Sequence, residues 1–284
     1  MKRLRQEHPF LVMDRSEPLR GDALFPFAVE DLICKQAGEA RMPALHMWRH
    51  ARAFIMGLRD RKLPFAAEAM AELRRKQYAV GVRHSGGAAV PLDDGVLNIS
   101  LVLPKMPGDT NFHQDFARMA HLLELVLGRF GITFDIGEIK QSYCPGDYDL
   151  SVSGRKFCGI AQRRQLRAYV IQAFVIVEGE GAARGRVARA FYEQACRGLA
   201  DESAPDVKPE VMVSLSEIAG RALSVADMAN TVIEVIREEA GIAAFAEKDE
   251  QWNQLFEGAA PIDWPAETER LTAKLHERYN KSNL

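Results

Sequence analysis

Cys144 and Lys156 are the residues whose types and spacing carry the most chemistry in this chain. They sit in the run Ser-Tyr-Cys-Pro-Gly-Asp-Tyr-Asp-Leu-Ser-Val-Ser-Gly-Arg-Lys-Phe-Cys-Gly-Ile-Ala-Gln-Arg-Arg, residues 142 to 164. A thiol attacks carbonyl carbon only as its thiolate, and a nearby ammonium favours that form. An acyl group carried on sulfur stays activated and can pass to an amine. The plainer alternative is a small buried cysteine in a loop and a solvated lysine on a strand.

The elements that must position the pair follow from local pattern. Tyr148, Leu150 and Val152 alternate with Asp147, Asp149 and Ser151, the period of a half-buried strand. Ser153-Gly154 fits a tight hairpin turn, with Lys156 to Ile160 returning. That register sets Lys156 opposite Ser151. Cys144 is then roughly 23 Å away along an extended chain, so the Pro145-Gly146 turn must fold the cysteine back over the sheet.

A second stretch, Arg83 to Leu103, places Gly86-Gly87 between two predicted strands, with Asp94-Gly95 as a further turn. Paired glycines let a ligand lie on bare backbone, and their amides bind a carbonyl or phosphate. The pattern matches neither Walker A nor GxGxxG, and a simple hairpin turn is the other reading.

Residues 1 to 24 read as a polar lead-in. A helix opens at Pro26 and runs through Lys35, with Gly38 as its stop. Strands are expected at Ala44 to Arg49, Arg52 to Leu58 and Tyr78 to Arg83, and a helix after Pro64. The strongest helix is Thr110 to Phe130, whose stripe Phe116, Met119, Leu123, Val126 and Leu127 reads as core. Ala168 to Val177 is a buried strand. Helices follow from Val187, with a linker over Ser203 to Pro209, a short helix at Ser214 to Gly220 and a capping box at Ser224 and Asp227. The last helix is Ala266 to Tyr279. Strands dominate the middle without βα alternation. The expected fold class is α+β: a mixed, mostly antiparallel sheet flanked by helices, with an all-helical C-terminal part. Residues 25–200 form the expected catalytic domain and 201–284 a helical extension packed on it.

Composition narrows the classes. The 284 residues are 47% hydrophobic and 27% charged, with a formal net charge of -2, which gives no footprint for nucleic acid or an anionic membrane. The four cysteines, Cys34, Cys144, Cys158 and Cys196, are scattered without CxxC spacing or an adjacent His cluster, so neither zinc nor a disulfide framework is expected. The start lacks an apolar signal core, and the longest apolar run is too short to span a bilayer. A cytoplasmic protein is expected.

Three blocks carry a family resemblance. Arg83 to Asn98, read as Arg-x-Ser-Gly-Gly-x-x-Val and Asp-Gly-x-Leu-Asn, resembles the biotin/lipoate protein ligase catalytic domain, whose fold is class II synthetase-like. Gly154 to Arg164 is similar to that family's lysine motif. Ser142 to Leu150 resembles the cysteine loop of the octanoyl-[glycine cleavage H protein]:protein N-octanoyltransferases, as do Leu63-Pro64-Phe65 and Ser214 to Gly220. The resemblance implies an amidotransfer of lipoate assembly. An octanoyl chain passes from a lysine of glycine cleavage H protein to Cys144 as a thioester. It passes next to a lysine of a lipoyl domain on a 2-oxoacid dehydrogenase E2 subunit. Amide is exchanged for amide, so no cofactor and no ATP is implied. Lys156 is implied to lower the thiol's pKa and hold the acyl carbonyl. Arg83, Ser85, Gly86, Gly87, Gly159 and Gln162 are implied to line the acyl tunnel. Three places depart from the pattern: His84 stands where Asn or Arg is common, Cys158 where Ala is usual, and Ala168-Tyr169 where Gly-Gly often follows the Gln-Arg-Arg, a change that bears on chain-length preference. Two residues from Lys156 on one strand, Cys158 is a rival nucleophile. Rival activities are octanoyl transfer from acyl carrier protein, an ATP-dependent lipoate or biotin ligase, and a non-catalytic acyl-binding protein.

Overall fold

The computed structural model of the chain describes residues 8–105, 112–199, 201, 204–246, 251–256 and 258–280. Thr110 and Asn111 of the strongest predicted helix, and Ser203 of the predicted linker, lie outside the described residues.

Among the described residues, eleven strands and eight α-helices follow in the order β1 (Phe10–Leu19), α1 (Phe25–Ala40), β2 (Ala44–His50), β3 (Arg52–Met56), α2 (Ala66–Arg75), β4 (Ala79–Val82), β5 (Val90–Asp93), β6 (Val96–Pro104), α3 (Phe112–Gly128), β7 (Asp135–Ile136), β8 (Leu150–Val152), β9 (Arg155–Arg164), β10 (Ala168–Ile176), α4 (Gly181–Cys196), α5 (Leu215–Ala219), α6 (Val225–Glu239), β11 (Ile242–Ala246), α7 (Trp252–Leu255) and α8 (Trp264–Leu275). The main sheet has eight strands in the order β11-β1-β2-β6-β10-β9-β8-β7. Its β11/β1 and β1/β2 pairs are parallel and the rest antiparallel. A second sheet of three strands runs β4-β3-β5. The α+β architecture with a mixed, mostly antiparallel sheet is therefore the one expected. No helix among the described residues is long and apolar enough to cross a membrane.

Both faces of the large sheet are covered. On one face, odd-numbered residues of β6 and β10 (Leu97, Ile99, Leu101, Tyr169, Ile171, Val175) pack against Met119, Leu123, Val126 and Leu127 of α3 and against Met228, Val232 and Ile236 of α6; Phe116, expected in the same core stripe, lines a cavity instead. On the other, Val102 and Val170 meet Val29, Leu32 and Ile33 of α1. Strands buried on two faces read as apolar runs. The polar interruptions on this second face, Asn98, Ser100 and Gln172, therefore mark where packing gives way to a cavity.

Three expectations need correction. Residues 10–19 are not a lead-in but strand β1, whose Phe10 to Met13 are fully buried between β2 and β11. The helix from Pro26 does not stop at Gly38; it runs to Ala40 and ends at Arg41 in the left-handed conformation. Gly38 has a different purpose, because a Cβ there would stand 2.7 Å from the Cβ of Arg167, so α1 lies directly on the β9–β10 turn. The C-terminal part is helical apart from β11, which joins the large sheet. The capping box expected at Ser224 is present, and Ser214 forms a second: each serine accepts from the backbone of the residue three further on.

Candidate active site

The hairpin register matches the expected one, with Ser151 opposite Lys156. The register then shifts: Leu150 pairs with Cys158, leaving Phe157 as the extra residue of a bulge. Alternation resets at a bulge, so Lys156 and Cys158 do not share a face. Cys158 packs in the core with Leu150 and Phe157, does not line the cavity, and its thiol is pushed well up by burial. The expectation of a rival nucleophile on the Lys156 face is therefore wrong.

The loop before β8 folds back over the sheet, as the turn at Pro145-Gly146 requires. Lys156 is fully buried, and its ammonium donates to the carbonyl oxygens of Cys144 (2.6 Å) and Tyr143 (3.0 Å) and pairs with Asp149 at 2.8 Å. The other oxygen of Asp149 accepts the N–H groups of Gly146 and Ile139, both at 3.2 Å. Burial raises the Asp149 carboxyl, and the neighbouring Lys156 charge opposes that rise. One ion pair thus fastens both ends of the cysteine loop. Cys144 itself is held at φ 48°, a left-handed conformation that a non-glycine residue adopts only when its surroundings enforce it.

The sulfur of Cys144 faces a different group of residues. It accepts the Ala88 N–H at 3.1 Å and lies 3.6 Å from a guanidinium nitrogen of Arg83. Arg83 is buried, and its remaining bonds go to the carbonyls of Gly86, Ala88 and Ile55. Gly86-Gly87 does not turn a hairpin: β4 and β5 both pair with β3 and not with each other, so the Gly-Gly loop crosses the end of the small sheet and meets the thiol. The loop is braced from behind. Ala89 N–H donates to the Tyr192 hydroxyl (3.0 Å), which donates to Asp60 (2.9 Å), which also accepts the Gly57 N–H (2.7 Å). Gly57 touches the Gly87 carbonyl so closely that a Cβ would lie 1.9 Å from that oxygen.

Behind the thiol is a cavity of about 490 Å³, within the range of small-molecule pockets. Phe27, Ile55, Val90, Leu92 and Phe174 supply apolar wall, and the stacked rings of Phe116 and Tyr148, 4.4 Å apart, join α3 to the cysteine loop beside it. Of the residues expected from sequence, Cys144, Arg83, Ser85, Gly86, Gly87, Gly159 and Gln162 all line this cavity; Lys156 stands outside the lining. Gly159 is glycine because a Cβ would come 2.6 Å from the Phe174 ring. Ser85 Oγ and Gln162 Oε1 are buried without a protein partner, which leaves two polar atoms at the cavity for a ligand. His84, another departure from the family pattern, pairs with Asp31 at 2.9 Å. One layer behind the wall, buried Glu30 accepts from Trp48 (3.0 Å), Ser100 and Gln172. Asp149, Ala88, Tyr192 and Asp60 were not singled out by sequence. Only Asp149, three residues beyond Gly146 in a turn-rich loop, carries a local signal.

A mostly antiparallel sheet with a Gly-Gly loop and a lysine strand around one acyl-sized cavity defines the lipoate-ligase class of fold. The lipoyl protein ligase A/B catalytic domain matches residues 22–237. A crystal structure of lipoate-protein ligase A bound with ATP superposes with a TM-score of 0.68 over 97% of each chain, at 19% identity. The octanoyl-[GcvH]:protein N-octanoyltransferase of Geobacillus kaustophilus is 40% identical over 235 residues, covering 82% of this chain and 83% of its own. The lipoyl-[GcvH]:protein N-lipoyltransferase of Listeria monocytogenes is 35% identical, covering 78% and 80%. The chain belongs to the lipoyl protein ligase A/B catalytic-domain family, among the octanoyl-[GcvH]:protein N-octanoyltransferases.

Proposed function

We propose that the protein is an acyltransferase that moves an octanoyl group from the lysine of glycine cleavage H protein to the lysine of lipoyl domains of 2-oxoacid dehydrogenase subunits. The relatives' activity supports the overall exchange. The observation that carries the chemistry is the Cys144 sulfur at the wall of the cavity, met by an amide N–H and a guanidinium.

In this reading the thiolate attacks the amide carbonyl of the octanoyl-lysine. The tetrahedral intermediate collapses with cleavage of the C–N bond. The proton given up by the thiol ends on the departing lysine amine, and the chain is left as a thioester. The acceptor lysine, as its neutral amine, then attacks the thioester, the C–S bond breaks, and the proton lost by the amine returns to the departing sulfur, restoring the thiol. Ala88 N–H donates toward the charge that develops beside the sulfur. Ser85 Oγ and Gln162 Oε1 are the unpaired groups on hand for the polar end of the acyl-lysine. The chain itself gains about 0.8 kcal/mol per buried methylene from the apolar walls. Lys156 shapes the loop that presents the thiol. All the cavity residues fall between Phe27 and Phe174, inside the proposed catalytic unit of residues 25–200, while the family match continues through α5 and α6 to residue 237.

The test is intact mass after incubation with octanoyl-H protein. A hydroxylamine-labile gain of one octanoyl unit, absent in Cys144→Ser, is the expected result. No gain in the wild type overturns the thioester route. Octanoyl-acyl carrier protein in a parallel incubation identifies the donor.

A further inference from the structure

Two buried cations stand near the reactive loop, and their charges are balanced differently. Lys156 has three N–H donors, and they are met by two carbonyl oxygens and the Asp149 carboxylate. The pair is neutral as a unit. Arg83 has no carboxylate within ion-pair distance among the described residues, although buried Asp60 is near enough to feel its charge; its N–H groups go to the neutral carbonyls of Gly86, Ile55 and Ala88, and the nitrogen that serves Gly86 and Ala88 also lies 3.6 Å from the sulfur, a contact of charge rather than a donated bond. A buried charge without an opposite charge is costly, and proteins supply the counter-charge.

We propose that Arg83 is the ion-pair partner of the Cys144 thiolate, and that Lys156, neutralised by Asp149, is a positioning residue for the loop. Resting on the nucleophile reading above, the assignment moves the activating cation from the β9 lysine to the arginine after β4. The geometry supports it twice. The guanidinium nitrogen is 3.6 Å from sulfur, while the Lys156 ammonium is turned to the backbone oxygen of the same cysteine. In addition, Gly87 leaves sulfur and guanidinium in contact, since a Cβ there would fall 2.6 Å from one and 2.7 Å from the other. The other titratable groups around the sulfur do not replace Arg83. Tyr143 and Tyr192 are held neutral by burial, and Asp60, which bonds Tyr192 and Gly57 and feels the Arg83 charge from beyond ion-pair distance, supplies no cation to the sulfur. His113 and Tyr148 face each other across the roof.

The experiment is the rate of alkylation by iodoacetamide as a function of pH on the full chain, with Cys144→Ser as the blank; the other three cysteines are buried. Removing a cation at this distance moves a thiolate's titration by about one unit or more. In Arg83→Gln the rise in rate is expected at least about one pH unit higher, roughly tenfold slower at neutral pH. Arg83→Lys, which keeps the charge, restores part of the rate. The paired variant Lys156→Met with Asp149→Asn removes the neutral unit while keeping an acceptor for Gly146. Its alkylation midpoint is expected to stay in place while thioester formation from octanoyl-H protein falls. A midpoint that moves up in the paired variant and not in Arg83→Gln overturns the assignment. If Arg83→Gln fails to fold by circular dichroism, the paired variant decides alone: an unmoved midpoint supports Arg83, a raised one returns the role to Lys156. Failure of the nucleophile reading is separate, since it shows as a wild type that never gains mass.

Discussion

Gly87 and Cys144 are in contact across the site, so closely that a Cβ on the glycine would stand 2.6 Å from the sulfur. The glycine also holds φ +91°, which side chains rarely adopt. Gly87→Ala is therefore expected to displace the thiol from its donors and cut thioester formation by about 100-fold, the usual cost of an ångström-scale misplacement. Gly86→Ala, where a Cβ meets nothing within 4 Å, is the control that retains activity. Mass-based loading rates on both variants check the contrast.

At Gly159 the added methyl meets the Phe174 ring at 2.6 Å and the Lys156 side chain at 3.3 Å. Overpacking of this kind costs about 1–3 kcal/mol. Gly159→Ala should lower stability in urea by that amount and narrow the cavity. Competition between octanoyl and hexanoyl donors then shifts toward the shorter chain.

Glu30 is the buried acceptor for Trp48, Ser100 and Gln172. Glu30→Leu leaves those three donors without their partner, and each stranded buried group costs about 1–3 kcal/mol. A loss of roughly 3 kcal/mol or more is expected in chemical denaturation, together with a changed cavity wall, because all three donors line it.

Asp60 provides a pH test. Burial raises its carboxyl, against the opposing hydrogen bonds from Gly57 and Tyr192. The folded state thus holds the proton more tightly than the unfolded state. The associated stability is complete below about pH 4, the unfolded carboxylate value, and is lost as pH rises through the raised folded value. Asp60→Asn lacks this slope. Its unfolding free energy relative to wild type should climb through that window and then level off; urea titrations at several pH values follow it.

Local signals carried much of this architecture. Ser153-Gly154 dictates the hairpin register, and Ser214 and Ser224 announce their helices through side chains that reach only three residues. What escaped was long-range or out of phase. Strand β1 pairs in parallel with partners far along the chain, so no adjacent turn marks it, and its polar half Asp14 to Glu17 disguises a buried start. The bulge at Phe157 reverses the face of Cys158, which strict alternation cannot foresee. The cysteine and lysine were legible as chemistry, but the sulfur's contact with Arg83 spans 61 residues, and only the tertiary fold reveals which cation stands at the sulfur.

The two strands at the far rim of the large sheet, β1 and β11, lie on opposite sides of the segment shared with the lipoyl ligase domain, one before residue 22 and one after residue 237. Each is the other's neighbour. Trimming the protein at one end alone would strip a row of amides and carbonyls bare along the survivor, an open seam that invites self-association. Shortened forms will stay well behaved only where both strands are kept, since cutting both ends bares β2 instead and takes the buried Phe10 to Met13 out of the core.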